Sequence, residues 1–125
     1  MREPIRDKDR LEHIIAAIER ILGFMADKSF DELSKDKLEY YGIVKCIEII
    51  GEATYKLSFL FKKAHPETPW DEIEKMRHVL VHDYYQIDEN EVRYVIEDDL
   101  PPLLSQISRY LSETNWSEWE QTNNL

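Results

Sequence analysis

Leu11-Glu12-His13-Ile14-Ile15-Ala16-Ala17-Ile18-Glu19-Arg20-Ile21-Leu22-Gly23-Phe24-Met25 is the stretch that decides the fold class. Leu11, Ile14, Ile15, Ile18, Leu22 and Met25 recur at three- and four-residue spacing, which lines one face of an α-helix. Glu12, Glu19 and Arg20 decorate the other side. The spacing predicts a helix from about Asp7 to Met25, whose stripe must be covered by other helices. Nowhere do β-branched residues alternate with polar ones over a long run, and only three glycines occur, which argues against a β-sandwich.

Downstream, Ser29-Phe30-Asp31-Glu32 has the form of a capping box, with Ser29 as N-cap and Glu32 reaching back. It predicts a short turn of helix anchored by Phe30 and Leu33, with Ser34 offering a second N-cap. A long helix is expected from about Lys35 to Ala64, with Tyr40, Ile43, Val44, Ile47, Ile50, Gly51, Thr54, Leu57, Ser58 and Phe61 close to one face. Gly51 in mid-helix costs about 1 kcal/mol relative to alanine. Such a glycine points to close approach of another backbone, either the first helix or a partner chain. His65-Pro66 ends this helix, because the residue before proline is pushed out of the α region.

Thr68 as N-cap, Pro69 at the first helical position and Asp71 and Glu72 in the first turn predict a further helix, ending near His82 to Tyr85. Asp88-Glu89-Asn90-Glu91 is a second capping box. It opens a last helix through Val92, Val95 and Ile96 that is expected to kink at Pro101-Pro102 and resume through Leu103, Leu104, Ile107, Tyr110 and Leu111. From Glu113 onward the tail is weakly patterned. Trp116 and Trp119 could dock onto the body or a partner, but a frayed terminus is the default expectation. The expectation is an all-α bundle of four main helices plus a short one. It forms one domain over residues 1–125, with a core at about 7–112 and a tail at 113–125.

Composition narrows the function. The 125 residues are 42% hydrophobic and 34% charged, and the formal net charge is −10. That acidity argues against broad nucleic-acid binding, which needs Lys and Arg on phosphates. It leaves room for a small basic pocket and suits a basic protein partner. Cys46 is the single cysteine, so no intrachain disulfide forms; its apolar run predicts a buried thiol in a reducing compartment. The N-terminus has no apolar core of a signal peptide, and no apolar run approaches the roughly 20 residues of a membrane span. A cytoplasmic location is expected.

The reactive chemistry is concentrated in Arg77-His78-Val79-Leu80-Val81-His82-Asp83-Tyr84. On a regular helix the five-residue step from Arg77 to His82 turns the side chain by about 140°. The two converge only if the helix ends between them or a second copy completes the site. Arg77 and Tyr84, seven apart, fall nearly in line. An arginine beside an apolar stripe either pairs with a carboxylate at its edge or binds phosphate, for which its planar fork is suited. His82 has the intrinsic pKa of a general acid or base near neutrality. No Ser or Cys stands out as a nucleophile. A reaction that needs none would fit, as when an RNA 2′-OH attacks its own phosphate. Glu74, His78 and His82 are spaced by four, but the metalloprotease pattern is absent and no second cluster supplies ligands, so no metal or cofactor is expected. Tyr84 and Tyr85 pack on the last helix, or a hydroxyl left accessible there binds substrate or is modified. His13 and His65 read as surface or loop residues, and no glycine-rich phosphate loop is present.

Arg77-x4-His82-x-Tyr84 resembles the R-x4-H-x-Y motif of HepT toxins in the HEPN superfamily. The match extends through Ile49-Ile50-Gly51-Glu52-Ala53, Pro66-x-x-Pro69-Trp70, Met76-Arg77, Leu80-Val81-His82-Asp83-Tyr84 and Ile87-Asp88, and covers about residues 7–112. The resemblance implies an antiparallel HEPN-type bundle that homodimerises, with Arg and His of both protomers meeting in a cleft. It implies a metal-independent endoribonuclease, the toxin of a type VII-like toxin–antitoxin pair. Its antitoxin would be an MntA-like minimal nucleotidyltransferase that transfers AMP to Tyr84 and so obstructs RNA phosphate in the cleft. Arg77 would position the scissile phosphate and His82 would move the proton, with His78 and Asp83 in supporting places. His78 stands where the family usually carries Asn or Asp. RNA contact would fall to Arg77, Arg93 and Lys75 or to the dimer field. The alternative is a non-catalytic HEPN helper that binds and presents substrate to the nucleotidyltransferase.

Overall fold

The computed structural model describes residues 6–78 and 88–123. Among them, every regular element is helical. Helix α1 is Asp7–Phe24, α2 Phe30–Lys35, α3 Lys37–Tyr55 and α4 Phe59–Ala64. Helix α5, Trp70–Glu74, tightens into a 3-10 turn at Lys75–His78. Helix α6, Glu89–Tyr94, passes through a π turn at Val95–Asp99 into α7, Leu100–Glu113, and α8 is Trp116–Asn123.

The centre of the bundle is α1 against α3, with α7 on α1 and the α5/3-10 segment on α3. The α1 stripe buries as its period demands: Leu11, Ile14, Ile18 and Ile21 are wholly enclosed, while Ile15, Leu22 and Met25 are half-buried at its flank. Each enclosed aliphatic contributes about 1.5–3 kcal/mol of transfer free energy. Facing them on α3 are Tyr40, Ile43, Val44, Ile47 and Ile50, with Leu57 and Phe61 beyond the end of α3. Cys46 is a buried free thiol, as its apolar run predicts.

The expected helix from Lys35 to Ala64 is two helices. It breaks at Lys56–Ser58 because Ser58 finds better partners than a helix offers. Its N–H donates to Asp7 Oδ1 at 2.8 Å, its hydroxyl donates to Asp7 Oδ2 at 2.6 Å, and its Oγ accepts from Phe61 N to cap α4. Ser29 caps α2 as read, accepting from Glu32 N. Asp36, not Ser34, caps α3, accepting from Leu38 N and Glu39 N. Ser34 turns back to donate to Asp31 O. Asp88 caps α6 as read.

The irregularity expected at Pro101-Pro102 lies one turn earlier. The two prolines form the first turn of α7. Lacking N–H groups, and with rings that crowd the carbonyls four residues back, they cannot continue the α ladder. The turn before them widens, and Leu100 N–H donates to Val95 O five residues back.

The tail expected to fray is docked. Trp116 stacks with Phe61 at 6.0 Å between ring centroids, and Trp119 meets it edge-on at 5.5 Å. The Trp116 indole N–H donates to Leu111 O and that of Trp119 to Asp7 Oδ2. Arg6 and Glu120 pair at 2.6 Å across the same seam. Among the described residues no helix is long and apolar enough to cross a membrane.

Candidate active site

Arg77 is set in place by α3, through two residues one helical turn apart. The first is Gly51. A Cβ there would lie 2.2 Å from Arg77 N and 2.8 Å from the Met76 carbonyl carbon, so only glycine lets the 3-10 backbone lie against α3. The close approach expected from this glycine is real, and its partner is neither the first helix nor another chain. It is the backbone of the segment that carries the arginine. Met76, 5% exposed, plugs the core beside it and fixes the segment from the other side.

The second residue is Tyr55, the last of α3. The Arg77 guanidinium carbon sits 3.6 Å from the Tyr55 ring centroid, a face-on cation–π contact. Arg77 Nε donates to His78 Nε2 at 3.2 Å, which casts that ring nitrogen as an acceptor. Among the described residues no carboxylate lies within ion-pair distance of Arg77, and none of them supplies the stripe-edge salt bridge. Its terminal nitrogens meet no acceptor among those residues. The arrangement leaves the guanidinium oriented and half-exposed, with its fork edge open, among the described residues, to an oxyanion.

The segment departs from the regular helix anticipated for it. Thr68 does not cap α5; Pro69 holds that position without a side-chain bond. The Thr68 hydroxyl instead donates to Gln106 Oε1 at 2.9 Å and also meets the Tyr110 hydroxyl. Helix α5 gives way to the 3-10 turn at Lys75, so Arg77 does not project from a continuing α-helix. His82, Asp83, Tyr84 and Tyr85 lie outside the described residues.

The other basic groups assigned to RNA contact divide. Lys75 is exposed beside Arg77. Arg93 is engaged with Glu97 at 3.2 Å and lies over Phe30. Glu74, a member of the spacing considered for zinc, pairs with Lys62 at 2.5 Å. A groove of about 660 Å³ runs along Phe59, Lys63, Pro66 and Trp70 and is flanked by that ion pair. His13 is exposed, but His65 is not the isolated loop residue it resembles. It is half-buried between Phe61 and Tyr110, with ring centroids 4.3 and 4.2 Å away.

Reading the sequence missed Tyr55. The signal was present as Gly51-x3-Tyr55, which places an aromatic ring one turn beyond the contact glycine on a neighbouring line of the same helix.

Among the described residues the fold is an all-helical bundle with an oriented arginine on a 3-10 turn packed against its central helix. The chain belongs to the HepT-like ribonuclease family: the model described as "Ribonuclease HepT-like" matches residues 14–110. It is 38% identical over 96 residues to "Probable ribonuclease HepT" of Thermococcus cleftensis, covering 77% of this chain and 87% of that protein. It is 32% identical over 103 residues to "Putative RNase TTE0752" of Caldanaerobacter subterraneus subsp. tengcongensis, covering 82% of this chain and 92% of that protein. No solved structure matches it significantly.

Proposed function

We propose that this chain is a metal-independent endoribonuclease of the cytoplasm, acting as a homodimer, and the toxin of a toxin–antitoxin pair. The observation that carries the reading is Arg77, stacked on Tyr55 with no carboxylate partner among the described residues, in a chain of the HepT-like ribonuclease family. A surface arginine with a structural role would normally be neutralised by an acid, and in a chain of net charge −10 acids are plentiful.

In the proposed reaction the 2′-oxygen attacks the adjacent phosphorus and the bond to the 5′-oxygen breaks. His82 takes the 2′-OH proton and, as the imidazolium so formed, gives it to the departing 5′-oxygen. The products are a 2′,3′-cyclic phosphate and a free 5′-hydroxyl. The Arg77 fork binds the non-bridging oxygens, where negative charge builds in the transition state. His78 and Asp83 support the site. A second protomer would bring its own Arg77 and His82 to the cleft and contribute its field to holding RNA against an acidic surface. The charge of Arg77 and the proton transfer at His82 together serve this reaction without a metal ion or cofactor.

Control is proposed at Tyr84. Its phenolic oxygen attacks the α-phosphorus of ATP on a partner nucleotidyltransferase, pyrophosphate leaves, and AMP remains on the tyrosine. The new phosphodiester places bulk and negative charge next to Arg77 and His82, in competition with RNA phosphate.

The test is cleavage of single-stranded RNA by the purified chain in excess EDTA. The expected result is cleavage with cyclic-phosphate ends, falling by about 100-fold or more in Arg77→Ala and His82→Ala, the scale of removing a charge-stabilising or proton-transfer group. A folded wild type that leaves RNA intact would replace this reading with that of a non-catalytic helper, and variants as active as wild type would remove Arg77 and His82 from the reaction. With the nucleotidyltransferase and ATP, intact-mass measurement should show AMP addition that is lost in Tyr84→Phe. Addition unaffected by that substitution contradicts the control mechanism.

A further inference from the structure

We infer that Tyr55 is a positioning residue for Arg77, acting by holding the guanidinium plane on its ring face. The catalytic consequence rests on the ribonuclease reading above; the positional claim stands on geometry alone. Helix α3 reaches Arg77 twice. Gly51 fixes the Arg77 backbone, and Tyr55, four residues on, fixes the end of its side chain. Arginine has four rotatable side-chain bonds, so a fixed backbone alone leaves the guanidinium free to sweep a wide arc. The 3.6 Å contact with the ring closes that arc.

The kind of contact matters as much as its existence. A carboxylate would orient the fork by occupying its N–H donors and would cancel its charge. An aromatic face orients the same plane through its π surface and leaves the in-plane donors to a ligand. Only Nε is used within the described residues, and it donates to His78 Nε2 along the edge of the plane. Stack and edge bond together define both the plane and its rotation. Tyr55 is 49% exposed, so it contributes little to the core. An aromatic ring half in solvent at the end of a helix is otherwise unaccounted for by packing.

The decisive comparison is among Tyr55→Phe, Tyr55→Trp and Tyr55→Leu, each measured for melting temperature, for kcat and KM on RNA, and for the Arg77 Nε–H signal in a nitrogen–proton NMR spectrum. In the wild type the ring current should move that proton upfield and the His78 bond should slow its exchange. Phe and Trp keep the ring and should keep the signal, with kcat within about twofold of wild type. Leu should return the proton to the unshifted position and lower kcat about tenfold with KM nearly unchanged, as expected when a reacting group is misplaced rather than removed. The melting temperature should not move, which separates positioning from folding. A Tyr55→Leu protein with an unmoved Arg77 signal, or with wild-type kcat beside an inactive Arg77→Ala, overturns the inference. A rise in KM alone with the signal unmoved would make Tyr55 an RNA contact and equally overturn it. If the wild type does not cleave RNA but the upfield shift is lost only when the ring is removed, the positioning stands and the ribonuclease reading falls.

Discussion

The surroundings of Phe61 and those of Arg77 are built on opposite rules. Phe61 is wholly enclosed by Trp70, Tyr110, Trp116, Trp119 and His65, and the indole N–H of each of these tryptophans has an acceptor. Asp7 ties three elements together there by accepting from Ser58 twice and from Trp119. Around Arg77 the packing is as close at the backbone, where Gly51 admits no Cβ, yet the side chain ends on an exposed ring with its fork unoccupied among the described residues. One region satisfies its polar groups internally and contributes stability. The other holds a charge ready for a group from outside. The difference separates an internally paired region from the arginine proposed for the chemistry without reference to any motif.

Substitutions should therefore split the two regions cleanly. The largest stability loss is expected for Phe61→Ala, at about 4 kcal/mol from lost transfer energy plus the cavity left among its aromatic neighbours. Urea titration should show it, with RNA cleavage per folded molecule preserved. Asp7→Ala comes next, at about 3 kcal/mol, because it removes at once the acceptor of the Ser58 N–H and hydroxyl and of the Trp119 indole N–H. Its tryptophan fluorescence should shift red as α8 loosens. If either substitution abolished cleavage in fully folded protein, the division between the regions would be wrong.

A smaller effect is pH-dependent. Burial pushes the Tyr40 hydroxyl up to about 12, with Glu89 and Asp88 adding to the shift. Raised above its unfolded value, this group contributes stability that is complete below about pH 10 and is lost as pH rises toward the folded value. The loss is on the order of 2 kcal/mol. Its hydroxyl has no hydrogen-bond partner among the described residues, so Tyr40→Phe should cost nothing at neutral pH and should flatten the alkaline limb. A steep limb that persists in Tyr40→Phe contradicts this assignment. The smallest effect is at Glu67, whose carboxyl is held below the usual range by a backbone hydrogen bond and by the Tyr110 hydroxyl. That stability is present above the ordinary carboxylate pKa and is lost as pH falls through the lowered one. The melting difference between wild type and Glu67→Gln should therefore shrink in acid, and a difference independent of pH would remove the linkage.

Much of the fold was legible because it is local. The α1 stripe, the Ser29 and Asp88 caps and the buried face of α3 each follow from residues three or four apart. What sequence could not supply was competition from far along the chain. Ser58 reads as helix interior until Asp7, 51 residues earlier, takes its N–H and hydroxyl. Thr68 reads as an N-cap until Tyr110 and Gln106 claim its hydroxyl. The tail reads as frayed because its partner, Phe61, lies on another helix. At the site, the Gly51 penalty announced a close contact, but the identity of the contact and the role of Tyr55 depend on how α3 meets the 3-10 turn. The roles of His82, Asp83 and Tyr84 rest on the motif and on membership of the family.

The most direct measurement of whether α3 holds Arg77 for catalysis is Gly51→Ala, assayed for unfolding free energy and RNA cleavage on the same sample. The added methyl meets backbone rather than a pliable side chain, so about 3 kcal/mol of stability should be lost, at the upper end of overpacking. Cleavage per folded molecule should fall at least tenfold as the 3-10 segment is pushed from α3, a misplacement of the scale that costs an order of magnitude or more. Cleavage that merely tracks the folded fraction, with full activity in every folded molecule, would contradict it.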